Sequence, residues 1–169
     1  MAVGRTGSNL VLFASRLSVA AALPGRDPGG ATLALDGLGI PEATLPPTML
    51  AVEYAPHAAL FPRAAAVVHH GGIGTTAAVL RAGRPMLVVP HAHDQPDNAF
   101  RAERLGLARV LDARRYRADR VADHLRTLLT MPSYLASARA IAARIGQEDG
   151  ARTAADTMAA HASGTSNVS

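Results

Sequence analysis

Short apolar runs alternate with helix-length segments along most of the chain. The runs fall at 10–13 (LVLF), 31–35 (ATLAL), 49–53 (MLAVE), 65–69 (AAVVH), 86–90 (MLVVP) and 108–111 (ARVL). Several are continuously apolar rather than alternating, which is how strands covered on both faces of a parallel sheet read. Between them, 74–83 (GTTAAVLRAG) predicts a helix closed by Gly83, with Arg84-Pro85 returning the chain to the sheet. Residues 97–105 (DNAFRAERL) predict another, opened by Asp97 and closed by Gly106. The last third is Ala-rich and reads as helix over 117–130, 133–146 and 149–161, with Pro132 separating the first two. This alternation predicts an α/β domain with right-handed crossovers. Sites in such folds lie at the carboxyl ends of the strands. Two consecutive strand ends carry chemistry, His69-His70-Gly71-Gly72 and His91-Ala92-His93-Asp94-Gln95, and their tips are expected to be close in space.

The ends of the chain fit the pattern less well. The run 10–22 (LVLFASRLSVAAA) superficially copies a secretory signal, but Arg16 sits in the middle of what should be an uncharged core. No apolar run approaches the length of a spanning helix, so no integral membrane span is expected and the expected setting is cytoplasmic. Residues 1–30 read as an irregular start, 31–162 as the domain proper, and the small polar tail 163–169 as disordered.

Composition narrows the function. A chain of 169 residues and 17.5 kDa, 49% hydrophobic and 18% charged, suits one folded core. The absence of Cys excludes a disulfide framework, a zinc ribbon, an iron–sulfur site and a thiol nucleophile. All 17 basic residues counted as Lys or Arg are Arg, which excludes a Walker A loop and any Schiff-base lysine. The net charge of +4 is spread among acids on helix-like segments, and aromatics are only 4%, so a nucleic-acid partner is not expected.

HHGGIGTT at 69–76 joins a buried strand to a helix through Gly71, Gly72 and Gly74. These glycines allow a tight turn and a close approach of ligand to backbone amides. Thr75 and Thr76 fall in the first helical turn, where unpaired N–H groups and the helix dipole favour a phosphate or diphosphate. The plainer reading is a tight turn with Thr75 as a cap. The spacing Gly72-x-Gly74-x-x-Ala77 also fits a dinucleotide fingerprint. That fingerprint belongs after the first strand of its fold, whereas here at least two strands precede it. His91-x-His93-Asp94 suggests a metal only weakly, because a His pair on an extended segment points to opposite sides and no third ligand follows at a recognised spacing. No metal is expected. Asp94-Gln95 supplies acceptors and a two-headed amide suited to vicinal hydroxyls, against the plainer reading that Asp94 or Asp97 caps a helix.

The run YAPHAALFPRAAAVVHHGGIGTTAAVLRAGRPMLVVPHAHDQ, Tyr54 to Gln95, resembles the donor-binding signature of the UDP-glycosyltransferase superfamily, most nearly its bacterial sterol- and macrolide-type members. The likeness continues through PDNAFRAERLGLARVL and the Ala-rich helices, covering roughly 48–160. It implies a Rossmann-like parallel sheet with flanking helices, the C-terminal half of a GT-B fold. It also implies a UDP- or dTDP-sugar as ligand, with no cofactor. Tyr54 stands where the family's aromatic stacks on the nucleobase, with Ala55 offering its backbone to the base edge. His57 replaces a Gln or His near the ribose. His70 matches the diphosphate-binding His, Gly72, Gly74 and Thr75 match the loop beside Gly71 that holds the diphosphate, and Asp94 and Gln95 match the pair that binds the transferred sugar.

Two departures limit what the resemblance implies. Ala78 stands where the plant branch has a ribose-binding Glu. The acceptor-binding domain, which in the family precedes this one and holds the catalytic base, has no counterpart in these residues. The expectation is therefore the donor-binding half of an inverting glycosyltransferase for a lipophilic acceptor such as a sterol or macrolide, inactive alone: either a fragment or truncated gene product, or the donor subunit of a two-chain transferase whose acceptor-domain partner supplies the acceptor site. A dinucleotide-binding domain for NAD(P) and a non-catalytic interaction module are the alternatives.

Overall fold

A computed structural model describes residues 2–6, 9–14, 32–35, 49–52 and 56–164. Its strands are β1 (Ala2–Thr6), β2 (Asn9–Ala14), β3 (Thr32–Leu35), β4 (Met49–Val52), β5 (Ala66–His69), β6 (Met86–Val88) and β7 (Ala108–Val110). The helices are α1 (His57–Leu60), α2 (Ile73–Ala82), α3 (Gln95–Arg104), α4 (Ala118–Thr130), α5 (Pro132–Ile145) and α6 (Gly150–Gly164). They form one sheet of order β3-β4-β1-β2-β5-β6-β7. From β2 to β7 every neighbouring pair is parallel, and helices cover the strands β5, β6 and β7.

The six expected strands are all present. Their neighbour β1 was not expected, and it runs antiparallel to both β2 and β4. AVGRT is a poor strand by itself, with Gly4 and Arg5 among five residues. Partners on both sides supply the pairing that its propensity lacks. A hairpin cue was legible, since Gly7-Ser8 between β1 and β2 is of the type that two-residue hairpins favour.

The continuous apolar runs are explained by burial on both faces. On one face Val67, Met86 and Val88 pack with Phe61, Val79 of α2, Ala99 and Ala102 of α3 and Ala138 of α5. On the other, Ala66, Val68 and Leu87 meet Val121, Ala122, Leu125 and Leu128 of α4. Small Ala side chains at the contacts let α3 pack against β7 and α5 against α2. Pro132 does more than break a helix: it opens α5, where its missing N–H costs nothing. Ser163 and Gly164 are helical, in place of the disorder expected from Ser163 onward, because α6 continues through them. Residues 165–169 lie outside the described residues. Among the described residues no helix is long and apolar enough to cross a membrane.

The register sets the site. His69 at the end of β5 pairs with Val88 at the end of β6, so the two loops leave the sheet side by side.

Candidate functional site

β5 delivers two consecutive histidines to the strand tip, and alternation sends them to different places. His69 is fully buried on the α2 face of the sheet. Its Nδ1 accepts the Gly71 N–H at 3.0 Å, and its Nε2 lies 3.2 Å from Met86 Sδ. An accepting Nδ1 cannot carry a proton, so the neutral ring carries it on Nε2 and donates to the sulfur. Burial pushes the His69 pKa down to about 3, with the neighbouring His70 and His57 acting in the same direction. His70 is half-buried, and its ring lies over Gly72: a Cβ on Gly72 would come within 2.6 Å of His70 Nε2.

Gly71 is the joint between the two loops. Its φ of +92° is open to glycine and strained for other residues, and a Cβ there would lie 2.8 Å from Val88 Cγ1 and 3.1 Å from the Gln95 carbonyl oxygen. Gly72 occupies the N-cap position of α2 without a side-chain cap, so Thr75 does not serve as the cap of the plainer reading. The Thr76 hydroxyl and N–H both donate to the Gly72 carbonyl at 3.0 Å. Thr75, half-buried, makes no such bond and stays beside the first turn. Nothing stands within 4 Å of a Cβ built on Gly74, so that turn is open in front. An open first turn with uncapped N–H groups, the positive end of the helix dipole and an imidazole alongside has the chemistry to attract an anion.

The second loop is built to face the first. α3 begins at Gln95, two residues before the expected opening at Asp97, which instead pairs with Arg101 at 2.7 Å on the helix surface. Asp94 holds the N-cap position but makes no cap hydrogen bond, so the capping reading fails for it too. Gln95 Oε1 accepts from the N–H of His91 at 2.8 Å and of Ala92 at 3.2 Å, which leaves its NH₂ as a donor for another partner. His91 and His93 are exposed, and His93 takes a φ of +59° in this tight loop. Among the described residues no group of three or more His, Asp or Glu is placed to hold a metal.

Asn98, overlooked in the sequence, ties the loops together. Its Nδ2 donates to the Gly71 carbonyl at 2.9 Å and to Asp94 Oδ2 at 2.8 Å. The available signal was its position four residues after Asp94, one helical turn away. Asn98→Ala is expected to destabilise the chain by about 1–2 kcal/mol, read as a lower urea midpoint, because it orphans a half-buried carbonyl.

His57 belongs to neither loop. On α1 it stacks on Phe61, ring centroids 4.4 Å apart, and partial burial lowers its pKa. With Ala58, Pro62, Ala78, Arg81 and Ala82 it lines a groove of about 410 Å³ alongside α2. Arg84 donates from Nη2 to the Pro62 carbonyl. Tyr54 and Ala55, expected at the nucleobase, lie outside the described residues.

The chain is similar to known glycosyltransferases. Residues 33–160 match the family described as erythromycin biosynthesis protein CIII-like, C-terminal domain. O-mycaminosyltylonolide 6-deoxyallosyltransferase of Streptomyces fradiae is 41% identical over 118 residues, which are 69% of this chain and 28% of that protein. Sterol 3-beta-glucosyltransferase of Pichia angusta is 38% identical over 117 residues, 69% of this chain and 9% of that protein. The crystal structure of glycosyltransferase VinC in complex with dTDP superposes with a TM-score of 0.59 at 37% identity, over 65% of this chain and 27% of that one. The chain thus spans less than a third of the length of these relatives. With residues 33–160 matched and the parallel strands β5, β6 and β7 flanked by helices as in the C-terminal half of GT-B glycosyltransferases, the chain belongs to the EryCIII-like C-terminal domain family of glycosyltransferases.

Proposed function

We propose that residues 31–162 bind a UDP- or dTDP-hexose and form the donor half of an inverting glycosyltransferase acting on a lipophilic small molecule such as a macrolide or sterol. One observation carries the reading: Gly71 joins an uncapped helix N-terminus to an acid–amide pair at adjacent strand tips. Phosphate belongs at the first and sugar hydroxyls at the second. In this reading Gly72, Gly74 and Thr75 with His70 hold the diphosphate. Asp94 and the NH₂ of Gln95 hold the sugar. The groove beside His57 takes the nucleoside, with Tyr54 and Ala55 at the base. The names of relatives, a macrolide-type deoxyallosyltransferase and a sterol glucosyltransferase, support the acceptor class. A cytoplasmic setting goes with the reading.

The chemistry needs no metal. The bond from the sugar's anomeric carbon to the diphosphate oxygen breaks as the acceptor oxygen bonds the opposite face, and the acceptor's proton passes to a base. That base is supplied by an acceptor half outside these residues. Negative charge grows on the departing diphosphate, where the first turn of α2 and a His70 N–H stabilise it without reorganising.

Calorimetric titration of the full chain with dTDP, UDP and NAD tests the assignment. Saturable dTDP binding is expected, with no NAD binding. Among the described residues the groove presents Ala78 and no carboxylate to a ribose 2′-hydroxyl, so UDP is expected to bind about tenfold more weakly through an unpaired hydroxyl. His70→Ala and Gln95→Ala are each expected to weaken dTDP-sugar binding by about tenfold or more. Saturable NAD binding without dTDP binding would replace this reading with a dinucleotide domain. Binding of neither leaves an interaction module.

A further inference from the structure

The two histidines that end β5 meet opposite environments. His70 lies over Gly72 at the open turn of α2, where the proposed reaction uses it. His69 is sealed beneath the loop, and no step of that reaction touches it. A buried imidazole costs more than an apolar ring of its size unless both nitrogens are satisfied. Here both are, and unequally: Nδ1 takes the Gly71 N–H at 3.0 Å and Nε2 faces Met86 Sδ at 3.2 Å. The reverse tautomer would set Nδ1–H against the Gly71 N–H, two donors in contact, and would open the turn.

Gly71 is where such a bond has leverage. Its N–H is held from β5 by His69 and its carbonyl from α3 by Asn98, while Val88 and Gln95 leave no room for a Cβ. Its left-handed backbone, φ +92°, turns the chain from β5 into α2. The residues that follow it are Gly72, beneath the His70 ring, and the uncapped first turn.

We infer that His69 is a positioning residue for the donor diphosphate: its neutral imidazole, with the proton held on Nε2 against Met86, accepts the Gly71 N–H and sets the turn that stations His70 and the α2 amides at the phosphates. This rests on the reading of the glycine loop as a diphosphate site. His69 leaves contact with phosphate to His70 and acts only through the backbone.

The test uses the full chain and separates the bond from the ligand. In ¹⁵N-labelled protein, a scalar coupling across the hydrogen bond is expected between His69 Nδ1 and the Gly71 amide nitrogen. The ring shifts should report one tautomer, protonated on Nε2, from pH 8 to pH 5. Calorimetry with dTDP then compares three proteins. His69→Phe fills the volume without an acceptor and is expected to bind about tenfold more weakly. His69→Asn offers its side-chain carbonyl oxygen to the Gly71 N–H and is expected to recover binding to within about threefold of wild type.

Equal binding by His69→Phe and wild type overturns the inference. So does equal weakness of the Phe and Asn variants, which would mean that the ring only fills space. A missing coupling or a mixed tautomer overturns it as well, and this measurement stands even if His69→Phe does not fold. A wild type that binds no nucleotide overturns the diphosphate role. A coupling still present would then locate the failure in the ligand reading and not in the His69–Gly71 bond.

Discussion

Gly71→Ala is expected to destabilise the protein severely. The new Cβ would sit 2.8 Å from Val88 Cγ1 and 3.1 Å from the Gln95 carbonyl, on a backbone with φ +92°. Val88 is 1% exposed in the core of β6 and cannot swing away, and the Gln95 carbonyl belongs to the first turn of α3. Strain in the left-handed region and overpacking together should cost about 3 kcal/mol or more. Because Gly71 joins the two loops, relief of the clash must separate them, so nucleotide binding should be lost beyond the loss of stability.

Gly74→Ala supplies the contrast. Nothing lies within 4 Å of its added Cβ, and the position is helical, so stability should stay level or rise by up to about 0.5–1 kcal/mol. The same methyl would stand in the open turn proposed for phosphate and should weaken dTDP binding. Urea unfolding and dTDP calorimetry on both variants decide the matter. Similar stabilities for the two would refute the packing account of Gly71.

The second large effect is acid sensitivity. Burial holds the His69 pKa at about 3 in the folded chain, against the ordinary imidazole value of 6.5. Between those values the unfolded chain binds a proton that the folded chain refuses, so unfolding is favoured as pH falls. Stability from this group is complete above about pH 6.5, declines by about 1.4 kcal/mol per pH unit below it, and stops declining near pH 3. His57 and His124, also lowered by burial, add in the same direction. Carboxylate protonation contributes at the acid end, so the informative quantity is the difference between wild type and His69→Asn in urea midpoints measured from pH 7.5 to 4. Wild type is expected to lose stability more steeply. Parallel slopes would mean that His69 is not held neutral by burial.

The parts of the fold visible in the sequence were those stated by local pattern. AAVVH and MLVVP read as doubly covered strands because both faces of β5 and β6 are buried, and the Ala-rich segments read as helices because they are good helix formers. The neighbouring strand tips followed from connectivity alone, since consecutive parallel strands bring their carboxyl ends together. What escaped was non-local. β1 owes its existence to β2 and β4 on either side, and Asn98 matters because a carbonyl from residue 71 happens to reach it. The start of α3 was displaced by two residues because Asp97 looks like a cap, yet its carboxylate is better used on Arg101.

The histidines draw the boundary most sharply. HHGGIGTT by itself determined that a strand turns into a helix through glycines and that an anion could lie there, because these follow from backbone freedom and helix-end N–H groups, which are local properties. That the His70 ring lies over the open turn of α2 while His69 is buried against Met86 is a matter of tertiary structure. That division depends on what lies above and below the sheet, and so does the burial that keeps His69 neutral and its Nδ1 free to accept the Gly71 N–H.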